Sequence, residues 1–388
     1  MTDGSPSPLA LDVPGLLTAV TERARTEASA WFPELRAGSV SVRVRQATER
    51  PRCRLFRLDL DDGRTVRPVV VKVRHSEARL RRPDRFGDRP VLAPVRLLSD
   101  EATGRCEYDG LVLLRDALAR AAATSRYGVL RPLAWLPEHA AIVTDYVPHP
   151  TLRTRLLATS RLHPRRAAAL PDTPWSNAGA ALRHFHTQPT SSSLLPRAGT
   201  PEQVGELFQQ FAGFLLPRAG ALPVLADLAA RGAELATGCL PRELPLRTGH
   251  GDFVANNLFA GPGGEITVFD PLPLWRVPPY QDLATLLVGL RVLPVQAGSH
   301  GLAFSERVLD RYESAVLTGY FGEETVPAGA LAAFQLLVLL DRWSALVSRG
   351  TRTGRLPHVR RVRVWTYSQH YHAEARRLFR RIVESSVP

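Results

Sequence analysis

Of the 50 basic residues in this 388-residue chain, one is lysine, Lys72, and the other 49 are arginine. Asparagine occurs three times, and two of those are the neighbours Asn256 and Asn257. The three cysteines, Cys53, Cys106 and Cys239, stand singly, which excludes a disulfide framework and a cysteine metal centre and implies a reducing cytoplasm. No apolar run approaches the length needed to span a bilayer, and the stretch 286–295 is broken by Arg291. Met1-Thr2-Asp3-Gly4 carries neither a basic leader nor an apolar core, so no secretory signal is expected. There is no internal repeat and no long low-complexity tract. A Gly-x-Ser-x-Gly elbow and metal-type His/Cys spacing are both missing, so neither motif offers a competing reading.

What is present suits two packed domains in a water-soluble chain, with 44% hydrophobic and 22% charged residues. The net charge of +13 invites a nucleic-acid or membrane reading. The replacement of lysine by arginine, with abundant Ala, Leu and Pro, instead reads as coding bias, and a nucleic-acid partner is set aside. The last segment, 351–388, holds nine arginines and two glutamates. Two readings stay open for it, a solvated helix or a surface for an anionic partner such as RNA or acidic lipid.

In such a chain the lone lysine and the paired asparagines stand out. Lys72 lies in the valine-rich run 68–73, where an amine suits a task that a planar guanidinium does not. Asp252 and Asn257 lie five positions apart in the run 250–259, the spacing of a tight loop. Asp270 ends the apolar stretch 266–270, which returns across a Gly261-Pro262-Gly263-Gly264 turn as a hairpin strand. Ionised groups among apolar residues are costly unless they bind something, and an oxygen-rich cluster of this kind suits Mg²⁺. The alternative for any one of these residues is plain, since an Asp also caps turns and ends strands.

Periodicity organises the rest. Residues 14–35 have helical spacing with Leu16, Leu17, Val20 and Ala24 on one side. Alternation from Ser39, a second strand from about Arg52 to Leu60 and a third over 68–73 predict an antiparallel sheet. The intervening loop 46–51 has no glycine, so any phosphate contact there falls to Thr48, Arg50 or backbone amides. Residues 74–100 read as an arginine-rich inserted loop. A helix follows with Glu107, Leu111, Leu114 and Leu118 on one face, and Glu107 near its start is the candidate partner of Lys72, with Glu101 as fallback. Strands over 130–135 and 140–144 precede an extended Asp145-Tyr146-Val147-Pro148 link. Beyond it helices are predicted at 151–159, 174–188, 201–216, 221–237, 282–292, 302–321, 327–348 and 359–385.

His250-Gly251-Asp252, then Asn257, then a strand ending in Asp270 resembles the catalytic and metal loops of the aminoglycoside phosphotransferase family, small-molecule kinases that share the protein-kinase fold. The resemblance implies an α+β, two-lobed fold with an antiparallel-sheet N-lobe plus one helix and a mostly helical C-lobe. Residues 1–37 would be an N-terminal helical extension, 38–147 the N-lobe and 148–388 the C-lobe. By position, Asp252 matches the catalytic Asp, and Asn257 and Asp270 match the metal ligands. Lys72, paired with Glu107, would hold the ATP phosphates, and Asp145 and Val147 match the hinge whose backbone meets adenine. Asp282 matches a residue that braces the catalytic loop from a helix start. His250 is read as supporting that loop, and His186 as a packed structural histidine.

The implied activity is ATP- and Mg²⁺-dependent phosphoryl transfer to a hydroxyl of a small molecule, such as an antibiotic, a sugar or an amino alcohol. The alternative is a catalytically impaired, kinase-like nucleotide-binding or regulatory protein with an anionic partner. Residues 290–345 carry six acids against four arginines, a balance that permits a cationic acceptor and equally allows a neutral one.

Overall fold

The structure is a computed structural model that describes residues 12–36, 38–50, 53–74, 89–92, 98–119, 126–188, 194–220, 222–350 and 357–385. The chain forms two compact units, Met1–Arg85 with Val95–Arg115 and Leu130–Pro148, and Phe86–Pro94 with Asp116–Val129 and His149–Pro388.

In the first unit, helix α1 (Val13–Trp31) starts at Asp12, whose Oδ1 accepts the Gly15 N–H at 2.9 Å, with Pro14 in the first turn. Strands β1 (Ser41–Arg50), β2 (Cys53–Asp61) and β3 (Val66–Arg74) are followed by α2 (Asp100–Ala119). The short β4 (Tyr127–Val129) belongs to the second unit, and β5 (Pro132–Leu136) and β6 (Ala141–Asp145) complete the first. The five-stranded sheet has the order β1-β2-β3-β6-β5 and is antiparallel throughout. Alternation in β3 sends Val69, Val71 and Val73 to one face, where they share a core with Leu16, Val20, Ala24 and Ala28 of α1. Lys72 falls on the opposite face by the same rule.

Two boundaries differ from the sequence expectation. Residues 46–50 are strand, not loop. β1 stays paired with β2 through Thr48↔Leu55 and Arg50↔Cys53, helped by an Arg54–Glu49 ion pair. The connection shrinks to Pro51 and Arg52, which lie outside the described residues. α2 begins at Asp100, so Glu107 lies two turns inside the helix, and the first-turn acids are Asp100 and Glu101. The helix dipole therefore does not account for Glu107. Most of the expected insertion, 75–88 and 93–97, lies outside the described residues. Its described piece, 89–92, is tied to the second unit by Arg89 Nη1 and the Leu92 N–H, which donate to Asp341 Oδ1 at 2.9 and 3.3 Å.

The second unit is mainly helical, with α3 (Leu152–Ala158), α4 (Thr173–His186), α5 (Pro201–Ala219), α6 (Pro223–Cys239), α7 (Tyr280–Arg291), α8 (Pro294–Gly298), α9 (Glu306–Phe321), α10 (Ala328–Gly350) and α11 (Pro357–Ser385). α8 was not expected from the sequence, because five residues show no readable period. The helix expected from 302 begins at Glu306, after Ser305. Strands β7 (Leu195–Pro196), β8 (Arg247–Thr248) and β11 (Trp275–Val277) form one small sheet. β9 (Leu258–Ala260) and β10 (Ile266–Val268) form a hairpin, Ile266↔Ala260, and β10 also pairs in parallel with β4.

The core centres on α10, whose Phe334, Leu337, Leu340 and Trp343 pack with Phe208 and Phe211 of α5 and with Leu378 and Ile382 of α11. Over Ala328–Ser348 this helix is long and apolar enough, at a mean hydropathy of 1.6, to meet the length and composition of a membrane span; 78% of that window is buried here. Helices α4 and α9 touch through their backbones. A Cβ on Gly179 would stand 2.1 Å from the Val316 carbonyl oxygen, and one on Gly319 would stand 1.9 Å from that of Ser176.

Charge is buried where α7, α9 and α11 meet. Arg291, 3% exposed, donates from Nη1 to Glu306 at 2.8 Å, from Nε and Nη2 to Glu313 at 3.1 and 2.8 Å, and from Nη2 to Asp310. Burial works against its charge, but Glu313, Glu374 and Asp310 outweigh that and hold its pKa above the ordinary value. Arg381 of α11 also reaches Glu313, and Arg377 pairs with Glu374, so part of the basic C-terminal segment is spent within the fold. Arg361, Arg363, Arg376 and Arg380 are exposed; the Arg360 side chain lies outside the described residues.

Candidate active site

In the first unit, Lys72 faces Leu55 on β2 and Ile142 on β6, in the middle of the sheet. Its Nζ donates to Glu107 Oε1 at 2.8 Å, and the two side chains are 13% and 3% exposed. Arg74, two residues along the same strand face, donates from Nε and Nη2 to the other oxygen, Oε2, the first at 3.0 Å. A carboxylate this buried needs such partners to stay ionised. Glu101, the alternative partner, is exposed. Arg74 was not among the residues singled out from the sequence, yet the period of a strand puts it beside Lys72.

Asp145 ends β6, and the first unit ends at Pro148. The Asp145 carboxylate accepts from Arg131 Nη2 at 3.1 Å and from the Tyr146 N–H at 2.9 Å. Arg131 also donates to the Trp31 carbonyl oxygen at 2.7 Å, so this corner is fastened to α1. The Arg57 guanidinium lies 4.3 Å from the Tyr146 ring centre. Val147 follows, half-buried and outside any strand or helix.

The second unit brings the remaining five residues together. Gly251 has φ +84° and a Cβ there would approach the Leu272 carbonyl oxygen to 2.3 Å, so both backbone and space call for glycine. The Leu272 N–H donates to the His250 carbonyl at 2.7 Å, and the Phe269 N–H to that of Asn257 at 3.0 Å. These two bonds fix the chain on either side of Asp270, itself in the left-handed region at φ +58°. Asp tolerates that region better than most residues, and such backbone concentrates at functional sites.

Asp282, in the first turn of α7 and 2% exposed, grips the loop from beneath. Its Oδ2 accepts the His250 N–H at 2.6 Å and its Oδ1 the Gly251 N–H at 3.2 Å. His186 Nε2 donates to the same carboxylate at 3.1 Å, while His186 Nδ1 accepts from the Tyr320 hydroxyl at 2.9 Å. Burial raises the Asp282 pKa, but the His186 hydrogen bond and the neighbouring imidazoles outweigh it and hold the carboxyl below its ordinary value. His250 is fully buried, edge-on to Phe185 and Phe253. Burial lowers its pKa against the opposing pull of Asp282, Asp252 and Asp270. Its Nδ1 accepts the Asp252 N–H at 3.4 Å. His186 and Tyr320 thus extend the support beyond what the motif announced. Tyr320 gave no signal, because it arrives from a helix far along the chain.

Asp252 is exposed and Asn257 is 4% exposed. Asn257 Nδ2 donates to both Asp252 Oδ2 and Asp252 O at 3.0 Å, which directs its Oδ1 away as an acceptor. Its neighbour Asn256 is exposed. Among the described residues no three His, Cys, Asp or Glu side chains gather into a metal cage. Asn257 Oδ1 and the Asp270 carboxylate are hard oxygen donors. Such a sparse set fits Mg²⁺, which takes one or two protein ligands and completes its shell with phosphate and water.

Among solved structures the chain is similar to an ethanolamine kinase from Plasmodium vivax, at 10% identity with 96% of this chain and 92% of that chain covered and a TM-score of 0.52. It is also similar to a macrolide 2'-phosphotransferase from Brachybacterium faecium, at 16% identity, 91% and 98% covered, TM-score 0.49. A choline kinase from Streptococcus pneumoniae matches at 13% identity, 95% and 99% covered, TM-score 0.45. At such identity the first of these likenesses speaks for the fold alone, an α+β kinase-like fold. No curated protein sequence matches the chain. A family profile described as the phosphotransferase enzyme family (APH) matches residues 95–325, beginning after Lys72. Because that match spans more than half of the chain, the protein belongs to the phosphotransferase enzyme family, the one its His-Gly-Asp loop resembles.

Proposed function

We propose that this protein transfers the γ-phosphate of ATP, or of another nucleoside triphosphate, to a hydroxyl of a small molecule. One observation carries the reading. Asp252 is exposed, while His250, Asn257 and Asp282, which hold it and its loop, are all buried. A base set this way meets a diffusing alcohol and keeps its orientation, which suits proton acceptance better than a purely structural role.

Asp252 would accept the proton of the acceptor hydroxyl as its oxygen attacks. Asn257 and Asp270 would hold Mg²⁺. Bound with the nucleotide, that ion neutralises charge on the phosphate oxygens. Lys72 would hold the phosphates that are not transferred, with Glu107 keeping the amine charged and aimed. Backbone groups at Asp145 and Val147 would meet the adenine edge. His250 and Asp282 act on the loop and not on the substrate.

The acidic balance of 290–345 gives no support to a polycationic acceptor. Glu306, Asp310 and Glu313 bind Arg291, Glu324 binds Arg183, and Asp341 binds Arg89. Glu323 is exposed. Five of the six acids are therefore already paired with arginines of the fold.

The test is ATP consumption by purified protein with Mg²⁺, across a panel of hydroxylated acceptors, read beside nucleotide binding. The expected result is turnover with a subset of alcohols, lowered about 10²–10⁴-fold in Asp252→Asn while nucleotide binding persists. Equal loss of nucleotide binding in that variant would show that Asp252 is not the proton acceptor.

A further inference from the structure

Arg342 is a cation of the second unit that the fold leaves with a single hydrogen-bond partner among the described residues. It projects from α10 and is half-buried, and its Nη2 donates to the Thr285 carbonyl oxygen at 2.9 Å. Thr285 lies on α7 one turn beyond Asp282, the residue that holds the loop of Asp252. The guanidinium also rests against Gly289, where a Cβ would come within 3.3 Å of Nη1. Among the described residues no carboxylate lies within ion-pair distance of it. Asp341, adjacent in sequence, is committed to Arg89 and to the Leu92 N–H. Burial pulls the Arg342 pKa down, while Tyr371, Asp252 and Asp341 within electrostatic reach pull it up, and burial prevails. Arginine does not escape such a cost by losing its proton. A partly desolvated guanidinium with one backbone partner and unused donors is a half-made anion site, since a carboxylate or phosphate takes two parallel N–H bonds.

We propose that Arg342 recognises an anionic group, a carboxylate or a phosphate, on the acceptor molecule whose hydroxyl Asp252 deprotonates. The inference rests on the kinase reading above and narrows its substrate class. Thr285 and Gly289 hold the guanidinium against α7, the helix whose first turn carries Asp282. Asp252 lies within electrostatic reach of the guanidinium, so an acceptor bound to it by one end would present its hydroxyl near Asp252. The same positive charge disfavours choline-like and polyamine acceptors, which a cationic residue repels at close range.

The test compares thermal stabilisation of the full chain, with Mg²⁺ and a non-hydrolysable ATP analogue, by glycerate, glycerol 3-phosphate, glycerol and choline. The wild type, Arg342→Met and Arg342→Lys are measured side by side. The expected result is stabilisation by one or both anionic probes and none by glycerol or choline. Arg342→Met should weaken the anion about 10- to 100-fold, the worth of a charged hydrogen bond, and Arg342→Lys should restore part of it. Which probe acts separates carboxylate from phosphate recognition. With a turned-over anionic acceptor the loss should appear in KM and not in kcat; a kcat loss shared by neutral acceptors would overturn acceptor recognition. Equal response to charged and neutral probes, or an anion preference unchanged in Arg342→Met, would overturn it too. Nucleotide stabilisation of Arg342→Met keeps the kinase reading standing if this inference fails. Its absence from the wild type sinks that reading instead.

Discussion

Two arginines lie against α7 and have opposite surroundings. Arg291, at its end, is bound by Glu306, Asp310 and Glu313, and its pKa is pushed up. Arg342, against its middle, has one carbonyl oxygen, and its pKa is pushed down. Arg291 is buried and Arg342 half-buried, and burial works against the charge of both. What distinguishes them is how many donors the fold has already used. A saturated guanidinium ties helices together, whereas an unsaturated one is available to a ligand. The same contrast separates two carboxylates, the buried Glu313 held by Arg291 and the exposed Asp252.

The sharpest way to break this comparison is to ask which region controls rate and which controls stability. Asp252→Asn should cost about 10²–10⁴-fold in turnover with little change in thermal midpoint, since the side chain is exposed. Unaltered turnover, or a collapse in stability, would blur the two classes. Arg291→Met should do the reverse, costing about 3–5 kcal/mol in chemical denaturation by leaving the buried Glu313 to Arg381 and Gln335, while activity per folded molecule is kept. Glu107→Gln lies between the two classes. It should cost about 1–3 kcal/mol, because Lys72 and Arg74 lose their shared carboxylate, and it should raise KM for ATP. The smallest effect is that of pH. His250 has a folded pKa below its ordinary 6.5, so the unfolded chain binds its proton first. Stability from this group is complete above that value and falls as the pH drops through and below it. The pH slope of the denaturation midpoint between 7 and 5 should be shallower in His250→Asn than in the wild type.

Much of the sheet and the hairpin could be read in the sequence because both follow short-range rules. Alternation announced β3, and glycine and proline announced the turn between β9 and β10. The loop at 46–51 was misread because glycine-poor, charged residues look like a connection, and only pairing with β2 makes them a strand. Glu107 was picked out by its helical face, although it lies two turns inside the helix and not near its start. The charge balance of 290–345 misled most, because a count cannot show that Arg291 draws three acids to itself. Tyr320 and Arg342 were beyond reach for the same reason. Each acquires its meaning from a partner more than 30 positions away, and neither sits in a motif.

The crossing of α4 and α9 at Gly179 and Gly319 has a consequence for the chemistry. α4 ends in His186 and α9 carries Tyr320, so the pair of bare backbones sets how closely hydroxyl, imidazole and Asp282 can stand in line. A single methyl at either glycine would pry the two rods apart, and the shift would travel along that line to the loop of Asp252. Drift at these two positions would therefore be felt as slowed catalysis, although neither belongs to the loop of Asp252.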